Sequence, residues 1–488
     1  MPIAFEHTYA KLPDRFYARV RPTPVSKPAI VAVNASLAEL LGVHLDELTS
    51  PEGVAMLAGN RIPEGADPIA LAYAGHQFGG FVPQLGDGRA ILLGEIVGTD
   101  GRRYDVQLKG AGPTPFSRGG DGRAALGPVL REYVVSEAMA ALGIPTTRAL
   151  AAVTTGDIVY RDNLLPGAIL TRVSASHIRI GTFQYFAVRK DQDAIKRLTE
   201  YALDRHYPNV STQEGPALAL LEAVMKAQIH LVASWLSIGF VHGVMNTDNM
   251  SISGETIDYG PCAFLDGYHP GRTFSSIDRG GRYAFANQPR IALWNLSRLA
   301  ETLIPLVHDD EERAATILTE RLETFSARFE DAYGNRMRQK LGLRKELAGD
   351  LELAQSLLEL MAESRADYTN TFRRLCDVAA GGDEERLTEL FEKAEGIRAW
   401  LVTWRARLEH ESVLPDERAA LMRKASPAFI PRNHRIEEMI AAATRGDMQP
   451  FERLHRVLAR PYDDQPEDAE LALPPGDEQW KYRTFCGT

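Results

Sequence analysis

Two short segments hold the residue types that could do chemistry. His242-Gly-Val-Met-Asn-Thr-Asp-Asn249 is followed nine residues later by Asp258-Tyr-Gly260. The amide oxygen of Asn249 and the carboxylate of Asp258 are hard oxygen ligands, suited to a Mg2+ or Mn2+ ion that also touches phosphate oxygens. Asp248 puts a second carboxylate next to that cation, where it could orient and deprotonate a hydroxyl. Either segment alone reads as a polar turn, with Asp248 an exposed turn residue. Together, after a long apolar helix, they point to one cation site.

The pair compares with the protein-kinase signature H-R-D-x-x-x-x-N and D-F-G. His242 and Asn249 keep its seven-residue interval, and Asp258-Tyr-Gly stands where the metal-binding D-F-G belongs. One departure matters. Val244 occupies the position of the kinase base aspartate, and valine accepts no proton. Either the chain does no catalysis, or another group takes that role, Asp248 being the obvious substitute.

Earlier residues supply a matching half. Lys109 ends the strand-like Asp-Val-Gln-Leu-Lys, and Gln84-Leu-Gly-Asp-Gly-Arg89 precedes it, with Gly86 and Gly88 letting backbone N–H groups approach an anion. Glu132 shares a helix face with Val135, Ser136 and Met139, leaning where it could pair with Lys109. Between them Gly110 to Arg123 holds five glycines in fourteen residues. Asp121-Gly122 in that loop could bind a ligand hydroxyl or a nucleotide edge; a mobile surface loop has the same composition. Arg172 and Arg179 have few acidic neighbours, and planar guanidinium groups grip phosphate bidentately, though paired arginines are also common on surfaces.

The elements that must position these residues are an early set of strands and a later set of helices. The first 75 or so residues, rich in proline, read as irregular segments with a short helix near Ser36–Leu41. Arg89–Val97 and Tyr104–Leu108 read as strands joined by a turn at Thr99-Asp100-Gly101. Pro128–Leu142 reads as a helix stopped by Gly143, and Ala149–Tyr160 and Ala168–Val173 as further strands. Ala217–Ile238 is a buried-type helix, followed by strand-like pieces around 242–253 and 256–258. From Arg290 to Arg460 amphipathic helices dominate, for example Arg313–Ala327 and Glu352–Ala366. The fold class expected is α+β with a protein-kinase-like bilobal layout. Its division is an N-terminal extension over 1–75, a strand-rich lobe over 76–185, a helical lobe over 186–310, a helical extension over 311–460 and an acidic, Pro-rich tail over 461–488.

Composition narrows the partners. Lys plus Arg is 55 and Asp plus Glu is 65, a formal charge of −10 over 488 residues. An acidic surface argues against nucleic acid and anionic membranes as partners, while a local basic pocket can still hold phosphates. The opening residues resemble neither a signal nor a transit peptide. The longest apolar stretch, Ala217–Phe240, is broken by Glu222, Lys226 and His230, poor for a membrane span. Three cysteines exclude a disulfide framework and fit a reducing cytoplasm.

The blocks QLGDGRA, QLKGAGPTPFSRGGDGRAAL, TRVSASHIRIGTF, HGVMNTDNMSISGETIDYGPCAFLD and ANQPRIALWNLSRLAE resemble the selenoprotein O (YdiU) family of pseudokinase-like adenylyltransferases along the whole chain. The resemblance implies ATP bound in reverse relative to kinases, so that AMP passes to Ser, Thr or Tyr of a protein. It implies Gly86, Gly88 and Arg89 as the nucleotide loop, Lys109 on phosphate and paired with Glu132, and Asp121 and Gly122 on the nucleotide. Arg172 and Arg179 would grip phosphates, Asp248 would be the base, and Asn249 and Asp258 the Mg2+ ligands. Many relatives end in a selenocysteine or cysteine, matched here by Cys486. A reversible link from Cys486 to Cys262 or Cys376 is one reading, and a free thiol on a tail the other. Two other functions stay open at this point: a phosphotransferase, against which Val244 counts, and an inactive ATP-binding scaffold.

Overall fold

The structure, a computed structural model, describes residues 3–476. Its first half is a twisted antiparallel sheet. The chain enters through β1 (Tyr17–Arg19) and β2 (Ala29–Val33), passes three short helices, α1 (Ala35–Leu40), α2 (Leu45–Thr49) and α3 (Pro51–Leu57), and returns as β3 (Ile69–Leu71). A hairpin follows, β4 (Gly75–Gln77) and β5 (Gly80–Val82), paired only with itself. Then come β6 (Ala90–Val97), β7 (Arg103–Lys109), β8 (Ala124–Ala125), helix α4 (Leu126–Ala141), β9 (Arg148–Tyr160) and β10 (Leu164–Ser174). The strand order is β1-β3-β6-β7-β10-β9-β2, with β8 added beside β10.

This order puts β7 in the middle of the sheet. Its register sets Lys109 opposite Ala90 and Leu170, and Gln107 opposite Arg172. The β6–β7 turn closes because Gly101, at φ +76°, donates to Gly98 O, and Asp100 accepts from Arg102 N–H at 3.0 Å. Helix α4 lies between the sheet and the helices Asn433–Thr444 and Gln449–Leu458, so it is buried on nearly every side, which suits its run of Val, Leu, Ala and Met.

The second half is helical. Here α5 (Ile180–Ala187), α6 (Gln192–His206) and α7 (Pro216–Ser237) lead to a two-residue strand pair, β11 (Phe240–Val241) with β12 (Ala263–Phe264). Between those strands sits one 3-10 turn, Thr247–Asn249. Next are α8 (Gln288–Val307), α9 (Glu311–Glu323) and α10 (Phe325–Lys340), and further helices run on to Leu458. By length and composition α7 could cross a membrane, but 72% of its most apolar window is buried inside the fold, packed on α6, α8 and α10.

Several elements differ from expectation. Residues before 75 supply β1, β2 and β3 to the main sheet rather than irregular chain alone. The segments 242–253 and 256–258 are not strands: they meet other segments only through isolated bridges, Ser251 with Arg179 and Thr256 with Thr146, while side chains take up others of their polar groups. The expected helix Arg313–Ala327 breaks at Thr324, the cap shared by α9 and α10. The start of the acidic tail is docked. Pro466–Ala472 forms 3-10 turns, Asp468 is buried against Arg453 and Arg456, and Ala472 O accepts from buried Arg432 at 2.7 Å.

One buried charge works against this fold. Lys340 is 2% exposed, donates to Ala425 O at 3.3 Å and lies over the ring of Phe372. Burial pushes its ammonium down to about 7. An unfolded chain keeps that proton up to about 10.4, so between these values unfolding takes up a proton and stability rises with pH. Lys340→Met, of similar length, should raise the unfolding free energy at pH 7, read from the shift of the guanidinium midpoint, by about 1 kcal/mol or more. It should also flatten the gain between pH 7 and 10; a lower midpoint in the variant would contradict this account.

Candidate active site

A chain of buried polar contacts starts at the end of β7. Lys109 Nζ pairs with Glu132 on α4, whose other oxygen takes Arg172 Nη1 of β10 at 3.3 Å. Arg172 also donates twice to Gln107 Oε1, at 3.2 and 2.5 Å, a contact its register makes direct. Gln107 Nε2 passes on to Asp87 Oδ2 at 3.0 Å, and Asp87 Oδ1 accepts from Arg179 Nη1 at 3.2 Å. Arg179 lies over the ring of Tyr73, 4.2 Å from its centroid, and its Nε is buried without a partner. Three cations are thus held in place by two carboxylates. Burial alone would raise the Glu132 carboxyl, but Lys109 and then Arg172 outweigh it and keep it charged.

The glycine loop sits on this chain. Gly86 has φ +84°, and a side chain there would run into Phe116. Thr114 donates to Asp87 O at 2.6 Å and Ser117 to Gly88 O, so residues 114–117 clamp the loop from outside. Gly122, also at positive φ, packs directly on Gly112. Asp121 stands apart: it is exposed and paired with Arg161 at 2.8 and 3.0 Å, outside the contacts around Lys109.

The segment 242–260 faces the same region. His242 is fully buried, its Nε2–H donating to Ile257 O at 2.9 Å and its Nδ1 accepting from Val244 N–H at 3.4 Å. Burial keeps that imidazole neutral, which both bonds require. Asn249 anchors its amide nitrogen on Val244 O at 3.1 Å, and among the described residues no donor reaches its amide oxygen. Asp258 sits at φ +70° and accepts only a long 3.4 Å bond, from Gly260 N–H. Burial would raise its carboxyl, yet the charge of Lys109, and after it that of Arg89, draws it below the ordinary range. α4 reaches here too, since Arg131, next to Glu132, donates to Tyr259 O at 3.2 Å and to Cys262 O.

Asp248 is only 8% exposed. Oδ2 accepts from Gln77 Nε2 at 3.2 Å, and Oδ1 is buried with no partner among the described residues. Burial pushes this carboxyl up to about 6, against the pull of Gln77 and Arg179. The β4–β5 hairpin covers it. His76 N–H donates to Thr247 Oγ1 at 2.7 Å, Phe78 N–H to Asn246 Oδ1 at 3.1 Å, and Gly75 lies so close that a methyl group there would overlap Asp248 Oδ1.

Residues 1–459 match the family model described as protein adenylyltransferase SelO. The chain belongs to the SelO family. Similar relatives include the protein nucleotidyltransferase YdiU of Bradyrhizobium sp. strain BTAi1, 60% identical over 485 residues and 99% of both chains. That of Methylorubrum populi is 59% identical over 492 residues, again 99% of both, and that of Alkalilimnicola ehrlichii 56% over 486 residues, 99% of this chain and 98% of the relative. This SelO chain is therefore an enzyme, a protein nucleotidyltransferase using ATP.

Of the residues expected from sequence, the SelO structure joins Lys109, Glu132, Arg172 and Arg179 in one contact chain, and brings Arg89 and Lys109 within electrostatic reach of Asp258. Sequence reasoning missed Asp87, Gln107, Tyr73, Gly75 and Gln77. Asp87 had a signal, an acid between the two loop glycines; Gln107, two residues before Lys109, had a weaker one. Cys486 lies outside the described residues. Its two possible partners, Cys262 and Cys376, are both buried free thiols, pushed by burial up to about 12 and about 11, unsuited to thiolate exchange.

Gly75→Ala tests the cover over Asp248. Displacing that carboxylate should lower adenylyl transfer about 100-fold, the usual cost of a misplaced group, while ATP affinity measured by calorimetry stays the same. Equal turnover in the variant would show that this close approach has no part in the reaction.

Proposed function

We propose that ATP lies between the sheet and the helical half in a protein-kinase-like arrangement, its α-phosphorus turned toward Asp248. The supporting observation is the pairing of Val244, at the kinase base position, with a buried carboxylate four residues later that has one oxygen free of partners. Asp248 takes the proton of a protein Ser, Thr or Tyr hydroxyl as its oxygen attacks the α-phosphorus. The bond from that phosphorus to the bridging oxygen breaks, and pyrophosphate leaves. Lys109, Arg172 and Arg179 are preorganised to offset charge on the departing group. Gly86, Gly88 and Arg89 border the phosphates, and Asp121 with Gly122 meets the far end of the nucleotide.

Asn249 and Asp258 would hold a Mg2+ ion, or Mn2+. Both present oxygen atoms with little or no hydrogen bonding, and Mg2+ takes one or two protein oxygens and completes its shell with phosphate and water. Bound there, the ion would neutralise phosphate charge. Among the described residues no group of three or more His, Cys, Asp or Glu could hold a metal, which fits a cation shared with the nucleotide. Buried, unpaired Cys262 and Cys376 suit a reducing compartment, the cytoplasm.

The test supplies ATP labelled at the α or the γ position to the full chain with bacterial lysate proteins. Protein-bound label should come from the α position only. Asp248→Ala and Asp258→Ala should each reduce it about 100- to 1000-fold, the range for a lost charge-stabilising group. Label from γ alone would mean phosphotransfer; loss in Asp258→Ala but not in Asp248→Ala would remove Asp248 as the base.

A further inference from the structure

The β4–β5 hairpin turns two aromatic rings outward, Phe78 at 36% and Phe81 at 39% exposure. Phe78 also has φ +51°, a left-handed conformation that is unfavourable for a residue with a side chain. Such strain persists where surrounding contacts impose it, and here they do. Phe78 N–H is held by Asn246 Oδ1, which also accepts from Tyr283 O–H at 2.7 Å, and the Phe78 and Tyr283 rings meet at 5.2 Å.

Beside this contact lies Arg282. Its guanidinium rests 4.5 Å from the Trp294 ring centroid and reaches under the hairpin tip at Gly79. Trp294 carries Arg298 as well, at 5.1 Å, but Arg298 is paired with Glu301 at 2.6 Å. Among the described residues the Arg282 guanidinium forms no salt bridge: the adjacent Asp278 carboxylate is taken by the backbone N–H groups of Arg282 and Tyr283 at 2.9 and 2.8 Å, and Arg282 Nε is buried without a partner. The guanidinium is held by the side chains of Tyr283 and Trp294, neither of which neutralises it, so an acidic group brought from outside would meet an uncompensated charge. Stacking on Trp294 holds it rigid, so a bound carboxylate would meet donors already in place.

We infer that Phe78, Phe81 and Arg282 form the docking face for the protein acceptor, and that it selects hydroxyls with a carboxylate side chain and an apolar side chain close by. The inference rests on the reading of Asp248 as the base. Contiguity supports it: residues 76, 77 and 78 of the hairpin are bonded to Thr247, Asp248 and Asn246, so a segment lying on the hairpin is one loop away from Asp248. Charge supplies the chemistry of the partner. An acidic side chain completes Arg282, and an apolar one covers the rings, the combination of an apolar anchor with a charge-assisted hydrogen bond that fixes register.

Three peptides of equal length test this, each with one Ser and one Leu, and with Glu, Gln or Lys beside the Ser. They are assayed with the full chain and α-labelled ATP, alongside lysate proteins. The Glu peptide should exceed the Lys peptide about tenfold in kcat/KM, the worth of one charge-assisted hydrogen bond. Arg282→Ala should remove that preference and Arg282→Glu should invert it, with the KM for ATP unchanged. Phe78→Ala should raise the KM for the peptide and leave kcat alone. Inversion is a gain that a misfolded variant cannot imitate. Equal use of the three peptides, failure of all three while lysate proteins are labelled, or an unchanged order in Arg282→Glu overturns the docking face and leaves the adenylyl-transfer reading standing. No α-label on any protein removes both.

Discussion

Glu132 is the carboxylate on which the site depends. Lys109 and Arg172 come from neighbouring strands and would repel each other if left alone in a buried space. One carboxylate between them turns two like charges into a fixed pair of cations. It is delivered by α4, which is buried by sheet on one side and late helices on the other, so its position is set by the whole molecule. The adjacent Arg131 holds the backbone at Tyr259 and Cys262. A single helix therefore fixes the distance between the strands that carry Lys109 and Arg172 and the segment that carries Asp258.

Buried charges of this kind rarely add net stability, since desolvation offsets most of the attraction. What they provide here is order. The contacts Lys109–Glu132–Arg172–Gln107–Asp87–Arg179 form a line in which nearly every group is satisfied, so a nucleotide meets donors that need not reorganise. Two buried atoms at the site, Arg179 Nε and Asp248 Oδ1, lack a partner among the described residues. Elsewhere the fold tolerates Lys340, whose burial holds it near the edge of losing its proton.

The sequence carried the local half of this arrangement. A strand ending in lysine, a glycine loop before it and a glutamate on one helix face are periodic or adjacent features, and the structure joins them as expected. The unread half is made of contacts between distant segments. Gln77 and Asp248 are 171 residues apart, and β2 finds its partner β9 across more than a hundred residues, so nothing local marks either. The prolines around β1 and β2 hid short strands whose partners are distant in sequence, β3 for β1 and the long β9 for β2. The pieces around 242–253 and 256–258 look strand-like in sequence, and nothing local marks the side chains of Gln288, Gln184 and Asn295 that take up some of their backbone and hydroxyl groups. The docked Pro466–Ala472 is a similar case, since the partner that holds it, Arg432, gives no sign in the sequence that it is buried.

Val244 is then less a missing base than a position used through its backbone. Its N–H meets His242 and its carbonyl holds Asn249, while its side chain is 7% exposed and apolar. An aspartate there would bring a third carboxylate to a loop where burial already holds Asp248 at about 6. With the site's cations committed to Glu132 and Asp87, that extra charge would have no partner and would raise its neighbours further. On the proposed reading, valine at 244 leaves the carboxylate at 248, under the hairpin, as the group free to receive a proton. The place of the base follows from which buried charges the surrounding network can accommodate.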